Sequence, residues 1–330
     1  MVIQKAKYET IPFEAVQILF VEYLVMATEA GLKKVRVSAM NAVHDLAVLV
    51  ARDEGLFQKE GLDLEILDTP GTSQADSDRQ ALKLDIFDRT MESIYNAGGV
   101  DQYRMCEWGV MKRTVEAVSN GQRPAKIVAL GAAMSKMAVI TGPNSHIFEP
   151  EQLKNTPVAV SPFNGSHFTT LKMLEGFVKK EEIQITNAGT MQERLDAVRM
   201  GEVAAGNFYE PWISVAQKQG FRILMESHST RSEAASDELD GPTLAAMFRA
   251  ETIAAEMINA DPHKYAHYFL DEVQGLLEPG EFQGWRLLYG PPVPYTRERF
   301  DDTYAWMLGY SELIEPGSTY EQVVDNRAWE

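Results

Sequence analysis

The chain has a single cysteine, Cys106, which is followed directly by Glu107 and Trp108. A lone thiol can be a small buried hydrophobe, part of the wall of a ligand pocket, or a nucleophile. Reactivity requires a cation or a helix N-terminus that lowers the thiol pKa. Lys112 and Arg113 follow closely, whereas Glu107 would oppose ionisation if it pointed the same way. All three roles of Cys106 stay open at the level of sequence.

A second group of residues is suited to binding an anion. The stretch SPFNGSHF begins at Ser161, and its glycine, Gly165, lets a ligand approach the backbone closely. The amides of Ser166 and His167 would open a helix toward an anion, because the first N–H groups of a helix have no partner within it. The structural alternative is that Ser166 is an N-cap and the glycine a turn residue. The binding interpretation makes Ser161 and Asn164 candidates as well.

Three further positions are candidates for ligand contact. His44 begins the first predicted helix, where its imidazole and the helix amides would face an anion; it can also be a capping or surface histidine. Glu210 and Trp212 follow a predicted strand. Glu210 can accept a hydrogen bond from a ligand, and Trp212 can stack on a planar one or plug the back of a lobe. Trp108 and Trp212 would then close on an aromatic ligand from opposite sides.

If the protein is an enzyme, these residues divide into catalytic roles. Cys106 would be the nucleophile or a thiol acid/base, and His44 or His167 would carry the proton. The backbone from Gly165 to His167 would hold an oxyanion or a carboxylate.

Composition limits the partners. The net charge of −17 and the pI of about 4.9 argue against nucleic acid and anionic membranes, because both carry charge of the same sign. One cysteine excludes an internal disulfide. His263 and His267 have a spacing that can bind zinc, but no third ligand lies near them in sequence. We therefore expect neither a metal nor a cofactor.

The N-terminal sequence bears on the cellular location of the protein. The stretch AVQILFVEYLVMATEA resembles the apolar core and cleavage site of a secretory leader, with Lys5 and Lys7 as its basic flank. Glu22 lies inside it and makes membrane insertion costly. We expect a cytoplasmic protein, which would be periplasmic if residues 1–30 act as a leader. No other apolar run approaches the ~20 residues of a membrane span, so no direct membrane insertion is expected.

After residue 34 the sequence alternates between strand and helix patterns. Val35 to Ala39, HDLAVLVARDEGLF and GLDLEILD predict a βαβ unit and hence a parallel sheet. A polar loop (TPGTSQADSDRQ), a helix (IFDRTMESIYNAGG) and a pair of strands (AKIVALGAAM and MAVITGP) follow, and the chain is helical after Asp240. Two α/β segments followed by covering helices predict two lobes with a cleft, where ligands bind at the carboxyl ends of strands.

Several stretches resemble, in the same order, the substrate-binding proteins for sulfonates, nitrate, taurine and thiamine pyrimidines. They are HDLAVLVARDEGLFQKEGLDLEIL, EPEQLKNTPVAVS, GSHFTTLKMLEGF and MQERLDAVRMGEVAAGNFYEPW. The resemblance implies an α/β, two-lobed, periplasmic-binding-protein-like (type II) fold with a ligand cleft between the lobes. It implies an N-terminal extension over 1–34, a domain I made of 35–125 plus 231–330, and a domain II made of 126–230.

The resemblance also implies a function. The chain would bind a small anionic or aromatic organic solute as the solute-binding component of an ABC-type importer, whose membrane component would be its partner. Enzymes resemble the same family, among them an aromatic sulfinate desulfinase, a thiamine-pyrimidine synthase and a dihydroxyphthalate decarboxylase. This chain lacks the synthase's cysteine-rich signature, and Ala42, Val43 and His44 stand where the desulfinase has its nucleophile. A cytoplasmic enzyme that cleaves a C–S or C–C bond of an aromatic acid, and a cytoplasmic ligand sensor, stay open as alternatives.

Overall fold

The computed structural model describes residues 31–38, 41–67, 95, 98–122, 124–310 and 312–330. The strands in these ranges are β1 (Lys33–Ser38), β2 (Leu62–Leu67), β3 (Gln102–Cys106), β4 (Lys126–Thr141), β5 (Pro157–Ala159), β6 (Gln184–Thr186), β7 (Ala205–Tyr209), β8 (Arg222–Ala235) and β9 (Leu288–Tyr289). The α-helices are α1 (Ala42–Asp53), α2 (Leu56–Lys59), α3 (Glu107–Ser119), α4 (Gly165–Leu174), α5 (Met191–Met200), α6 (Trp212–Lys218), α7 (Gly241–Ala260), α8 (Ala266–Val273), α9 (Arg297–Leu308) and α10 (Tyr320–Val323). None of the described helices combines the length and the apolar character that a membrane crossing requires.

The strands form one sheet in the order β2-β1-β3-β8-β4-β7-β5-β6, with β9 paired to β4. Strands β2, β1 and β3 are mutually parallel, and so are β7, β5 and β6. The long strands β4 and β8 lie between these two parallel groups and are antiparallel to each other. We call the β1–β3 side, with α1, α3, α7 and α9, the first lobe, and the β5–β7 side, with α4 to α6, the second lobe. The α/β, two-lobed expectation is confirmed.

The first βαβ unit forms as its sequence predicts. Buried Val35 and Val37 alternate with more exposed residues along β1, as expected for a strand that packs one face on a core. Helix α1 begins after Asn41, whose side-chain oxygen accepts a hydrogen bond from the His44 amide over 3.2 Å. This cap fixes His44 in the first turn of the helix, at the carboxyl end of β1, where the two lobes meet.

Strand β4 differs from the expected pair of strands. It is one strand of 16 residues, because the 14-residue strand β8 runs beside both of its halves and no turn interrupts it. Its pairing with β8 shifts register at three places, and the middle shift lies between Leu130 and Met134. Gly131 lies there and faces the Glu233 carboxyl group so closely that a Cβ atom would collide with it.

Some sequence predictions fall outside the described residues. These are the N-terminal stretch 1–30, the polar loop after β2 and most of the helix predicted after it. The division into 35–125 plus 231–330 and 126–230 stays a prediction.

Candidate functional site

A pocket lies where the two lobes meet. It contains about 370 Å³ of empty space, including the part that opens to solvent. Its lining residues come from both lobes and from the two strands between them: His44, Met105, Met137, Ser161, Asn164, Gly165, Ser166, Met191, Tyr209 and Arg231.

The charged residue of this lining is Arg231, on β8. Its side chain is buried, and one terminal nitrogen donates to the backbone oxygen of Arg104 over 3.3 Å. Its Nε has no hydrogen-bond partner, and among the described residues no carboxylate oxygen lies within 4 Å of its guanidinium. Burial lowers the pKa of Arg231, and the negative charge of Asp45 is the main influence that raises it. Arginine nevertheless keeps its charge in proteins, so the pocket contains a buried cation with unused hydrogen-bond donors.

The N-terminus of α4 forms the facing wall. Ser166 Oγ accepts from the Ser161 amide over 2.9 Å, and the Asn164 side chain donates to Ser161 Oγ over 3.1 Å, which holds the turn closed. The Asn164 backbone oxygen accepts from His167 and Phe168. Within the described structure the amides of the first two helical residues have no acceptor. This helix end therefore presents free N–H donors to the pocket that contains Arg231.

Gly165 brings α4 close to the strands. A Cβ atom at this position would lie 3.4 Å from Ser229 Oγ, 3.5 Å from Met137 Cε and 3.6 Å from Cys106 Cβ. These are ordinary contact distances, so the glycine leaves a gap about the size of one methyl group beside the pocket wall.

His44 lies on the first-lobe side of the pocket. Its ring meets Tyr209 edge-on, with ring centroids 5.1 Å apart, and its buried Nδ1 has no hydrogen-bond partner. Burial, with a smaller contribution from Arg231, lowers the pKa of His44 well below its ordinary value. The imidazole is therefore neutral near pH 7 and can offer a hydrogen bond but no charge.

The structure places five of the sequence candidates in the pocket lining: His44, Ser161, Asn164, Gly165 and Ser166. The other six candidates lie close by but contact other parts of the protein: Cys106, Glu107, Trp108, His167, Glu210 and Trp212.

Cys106 is the last residue of β3 and is 1% exposed. It pairs with Arg231 across the antiparallel strands β3 and β8. Directly paired residues of antiparallel strands point to the same face of the sheet, so the thiol lies beside Arg231, next to the pocket but outside its lining.

We expect alkylation of the Cys106 thiol to be at least about 100-fold slower in the native protein than in urea, because a reagent must wait for local opening. The measurement is the rate of iodoacetamide incorporation, by mass spectrometry, in native and unfolded protein. A native rate equal to that of a free thiol, and protection by an aromatic sulfinate, would contradict this placement and restore the catalytic interpretation.

Glu107 and Trp108 begin α3 and turn toward α9. Arg299 donates to both carboxylate oxygens of Glu107, at 2.7 and 2.8 Å, and Tyr295 adds a third hydrogen bond at 3.2 Å. The Trp108 ring stacks on Phe168 of the second lobe, with centroids 5.7 Å apart. Both side chains thus connect elements of the fold.

His167 fixes the turn before α4. Its Nδ1 accepts from the Phe163 amide over 3.0 Å, so the proton of the neutral ring is on Nε2. Burial, with a contribution from Lys112, lowers the His167 pKa to about 4. The ring therefore stays neutral, and its contacts are structural.

Glu210 and Trp212 lie beneath the second lobe's end of the pocket. The Glu210 carboxyl group accepts from Ser214 Oγ at 2.8 Å and from Arg286 at 3.1 Å. Burial raises the Glu210 pKa, and Ser214 and Arg286 oppose that shift. Trp212 is 8% exposed and belongs to the main hydrophobic core. Neither side chain lines the pocket.

Sequence reasoning missed five lining residues: Met105, Met137, Met191, Tyr209 and Arg231. The stretch SHSTRSEAA, where a single cation stands among small residues in a strand-like run, was an available signal for Arg231. The methionines give no signal of their own, because methionine is common in ordinary cores. Among the described residues, no group of three or more His, Cys, Asp and Glu could hold a metal ion.

Comparison with known proteins bears on the fold of the chain. No protein-family model matches the chain, and no curated protein has a significantly similar sequence. The periplasmic aliphatic sulphonate binding protein SsuA from Escherichia coli matches with a TM-score of 0.65 at 15% identity, over 88% of this chain and 92% of that one. The alkanesulfonate-binding protein SsuA from Xanthomonas axonopodis pv. citri, bound to MOPS, matches with a TM-score of 0.63 at 13% identity, over 89% and 96%.

A desulfurization enzyme, DSZB, matches with a TM-score of 0.56 at 12% identity, over 88% of this chain and 96% of that one. Binding proteins and an enzyme thus share this architecture, and fold alone does not separate their functions. Sequence order, sheet topology and these matches agree on one architecture: the chain has the two-lobed α/β fold of the periplasmic binding proteins.

Proposed function

We propose that the chain binds a small organic anion in the pocket between its lobes, as the solute-binding component of an importer. The observation that carries this proposal is Arg231, a buried guanidinium that lines the pocket without a carboxylate partner. Burying such a charge is costly unless something pairs with it. A ligand anion would supply that partner and would be held by a short, charge-assisted contact.

The rest of the lining fits an anion with an apolar part. The free amides at the start of α4 suit the oxygens of a sulfonate or carboxylate. Met105, Met137 and Met191 form an adaptable apolar wall, since methionine side chains are flexible and polarisable. Tyr209 adds an aromatic face beside His44. Aliphatic and aromatic tails are both compatible with this surface.

The importer role is supported by the names of two proteins of the same fold, which bind aliphatic sulphonates and alkanesulfonates. Such a role requires export from the cytoplasm. Cys106 is buried and is not among the lining residues, which argues against the catalytic alternative.

The test is binding of 1-butanesulfonate, benzenesulfonate, benzenesulfinate and benzoate to the full chain at pH 7, by calorimetric titration and thermal unfolding. At a concentration about 100 times its Kd, a ligand adds about 2.7 kcal/mol to the free energy of unfolding. That corresponds to a rise of several degrees in Tm. The neutral analogue 1-butanol is the control, and we expect it to have no effect.

Two results would contradict the proposal. The first is the absence of heat and of any Tm shift for every anion in the series. The second is release of sulfite from benzenesulfinate with turnover, which would show an enzyme.

A further inference from the structure

Behind the pocket, five charged residues form a group that we call the buried charge cluster: Asp45, Arg104, Arg231, Glu233 and Glu251. Each is 5% exposed or less. They come from α1, β3, β8 and α7, so the cluster joins the core of the first lobe to the wall of the pocket. Arg231 is its member on the pocket side.

Arg104 lies at the centre of the cluster. It pairs with Glu233 at 2.8 Å, with Asp45 at 3.4 Å and with Glu251 at 3.7 Å. Glu233 also accepts from the Gln102 side chain at 2.7 Å. Glu251 has the weakest pairing, because its distance to Arg104 is the longest and its Oε1 has no hydrogen-bond partner.

The charge count of the cluster is unbalanced. Two guanidinium groups face three carboxyl groups, so full ionisation leaves a net charge of −1 in a buried site. An anion bound to Arg231 would make this −2, which is costly in a medium of low polarisability. A proton on one carboxyl group offsets one of these charges. Burial, reinforced by Glu233, raises the Glu251 pKa to about 8.

Arg231 and Glu251 are electrostatically connected. Asp45 and Glu233 act on both of them: they favour the charged form of Arg231 and oppose the charged form of Glu251. Arg231 also donates to the backbone oxygen of Arg104, whose side chain pairs with Glu251 at 3.7 Å. Any effect of a charge change at one of these residues on the other therefore passes through Asp45, Glu233 and Arg104.

Building on the proposed function, we propose that Glu251 is a remote affinity-setting residue: the pocket binds its anion most tightly when Glu251 carries a proton, and affinity falls as that proton is lost. Glu251 does not line the pocket and acts only through the cluster. By linkage, binding an anion strengthens the hold of Glu251 on its proton, so the complex takes up protons where Glu251 is partly ionised.

The ionisable groups acting on Glu251 are Glu233 from β8, Arg104 from β3 and Asp45 from α1. Other elements packed against α7 carry ionisable side chains with contacts elsewhere: Glu60 with Arg249, Lys264 with Glu54, Tyr289 with the Val43 oxygen, and Arg327 with Asp325. On the pocket side, His44 is neutral throughout the relevant range because its pKa is lowered.

The first experiment uses no ligand and measures the free energy of unfolding against pH for the wild type, Glu251→Gln and Glu256→Gln. Glu256 is exposed on the same helix and is the matched control. A raised native pKa means that the folded protein holds a proton that the unfolded chain has released, so stability falls as pH rises from the ordinary glutamate value to about 8. The wild type and E256Q should lose up to about tenfold in the folding equilibrium constant per pH unit relative to E251Q.

The second experiment measures the Kd of 1-butanesulfonate, which does not titrate, between pH 6.5 and 9.5. The wild type should lose about tenfold or more in affinity over this range, whereas E251Q should keep a nearly constant Kd. Cys106→Ala should retain the wild-type profile, which separates the thiol opposite Arg231 from Glu251. Titrations in buffers of different ionisation enthalpy should show proton uptake in the wild type near pH 8 and none in E251Q.

The outcomes separate the two proposals. If 1-butanesulfonate and the other anions do not bind at any pH, the proposed function fails. If 1-butanesulfonate binds but E251Q has the same pH profile as the wild type, the Glu251 inference fails. It also fails, with or without a ligand, if E251Q and the wild type share one pH dependence of stability.

Discussion

Replacing Arg231 by methionine should weaken anion binding sharply while leaving the protein folded. Removing one partner of a buried, charge-assisted contact costs about 2–5 kcal/mol, or roughly 30- to 5,000-fold in Kd. Methionine has a similar length and fills the same space without the charge. Calorimetric titration with 1-butanesulfonate and benzenesulfonate measures the loss, and circular dichroism verifies the fold.

The matched control is Arg222→Met on the same strand. Arg222 donates to the Ile147 backbone oxygen and lies over the Phe148 ring, at the opposite end of β8 from Arg231. Its loss should leave the Kd within about twofold of the wild type, because a substitution far from a binding site has little effect on the contacts made there. Equal loss of affinity in both variants would contradict a specific role for Arg231, and unchanged affinity in R231M would remove the central support for the proposed site.

Replacing Arg104 by leucine should have the largest effect on stability of any single change in the cluster. Burial disfavours the charge of Arg104, but Glu233, Glu251 and Asp45 outweigh that effect and raise its pKa. Without it, carboxylates remain buried and uncompensated, which costs about 3–5 kcal/mol. Urea unfolding at pH 7.5 measures the loss. Arg249→Leu removes an exposed ion pair with Glu60 and should cost at most about 1 kcal/mol.

The loss of unfolding free energy in R104L should also depend on pH. Carboxyl groups left without their cation take up protons more readily, and the protonated forms are cheaper to bury. The difference in unfolding free energy between R104L and the wild type should therefore be smaller at pH 5 than at pH 7.5. A difference that is independent of pH would show that lost packing, and not uncompensated charge, explains the effect.

The parts of the fold that are encoded locally could be predicted from the sequence. Alternation in β1, helical spacing in α1 and the glycine that begins α4 each depend on a few neighbouring residues, and each is found where it was expected. The continuity of β4 could not be predicted, because it depends on β8, a partner almost 100 residues further along the chain.

The candidate site could be predicted only in part, for a similar reason. His44 and Ser161 to Ser166 lie at element ends, which the topology rule for α/β sheets identifies. Arg231 becomes a pocket residue through the register of β8 against β3, which is set by pairing between distant segments. Glu107 and Trp108 also follow the end of a strand, but this position does not determine where their side chains point. Contacts with α9 direct both side chains away from the pocket.

The placement of β8 has a consequence for how the protein is made. Strands β1, β2 and β3 leave the ribosome first, yet β3 has β8 as its antiparallel neighbour, and α1 packs on α7, which follows β8. The second lobe, contained between β4 and β8, is complete earlier, because domains fold as units during synthesis. The half that begins first is thus finished last, and β8, the strand through which the chain returns to it, brings Arg231 into the protein.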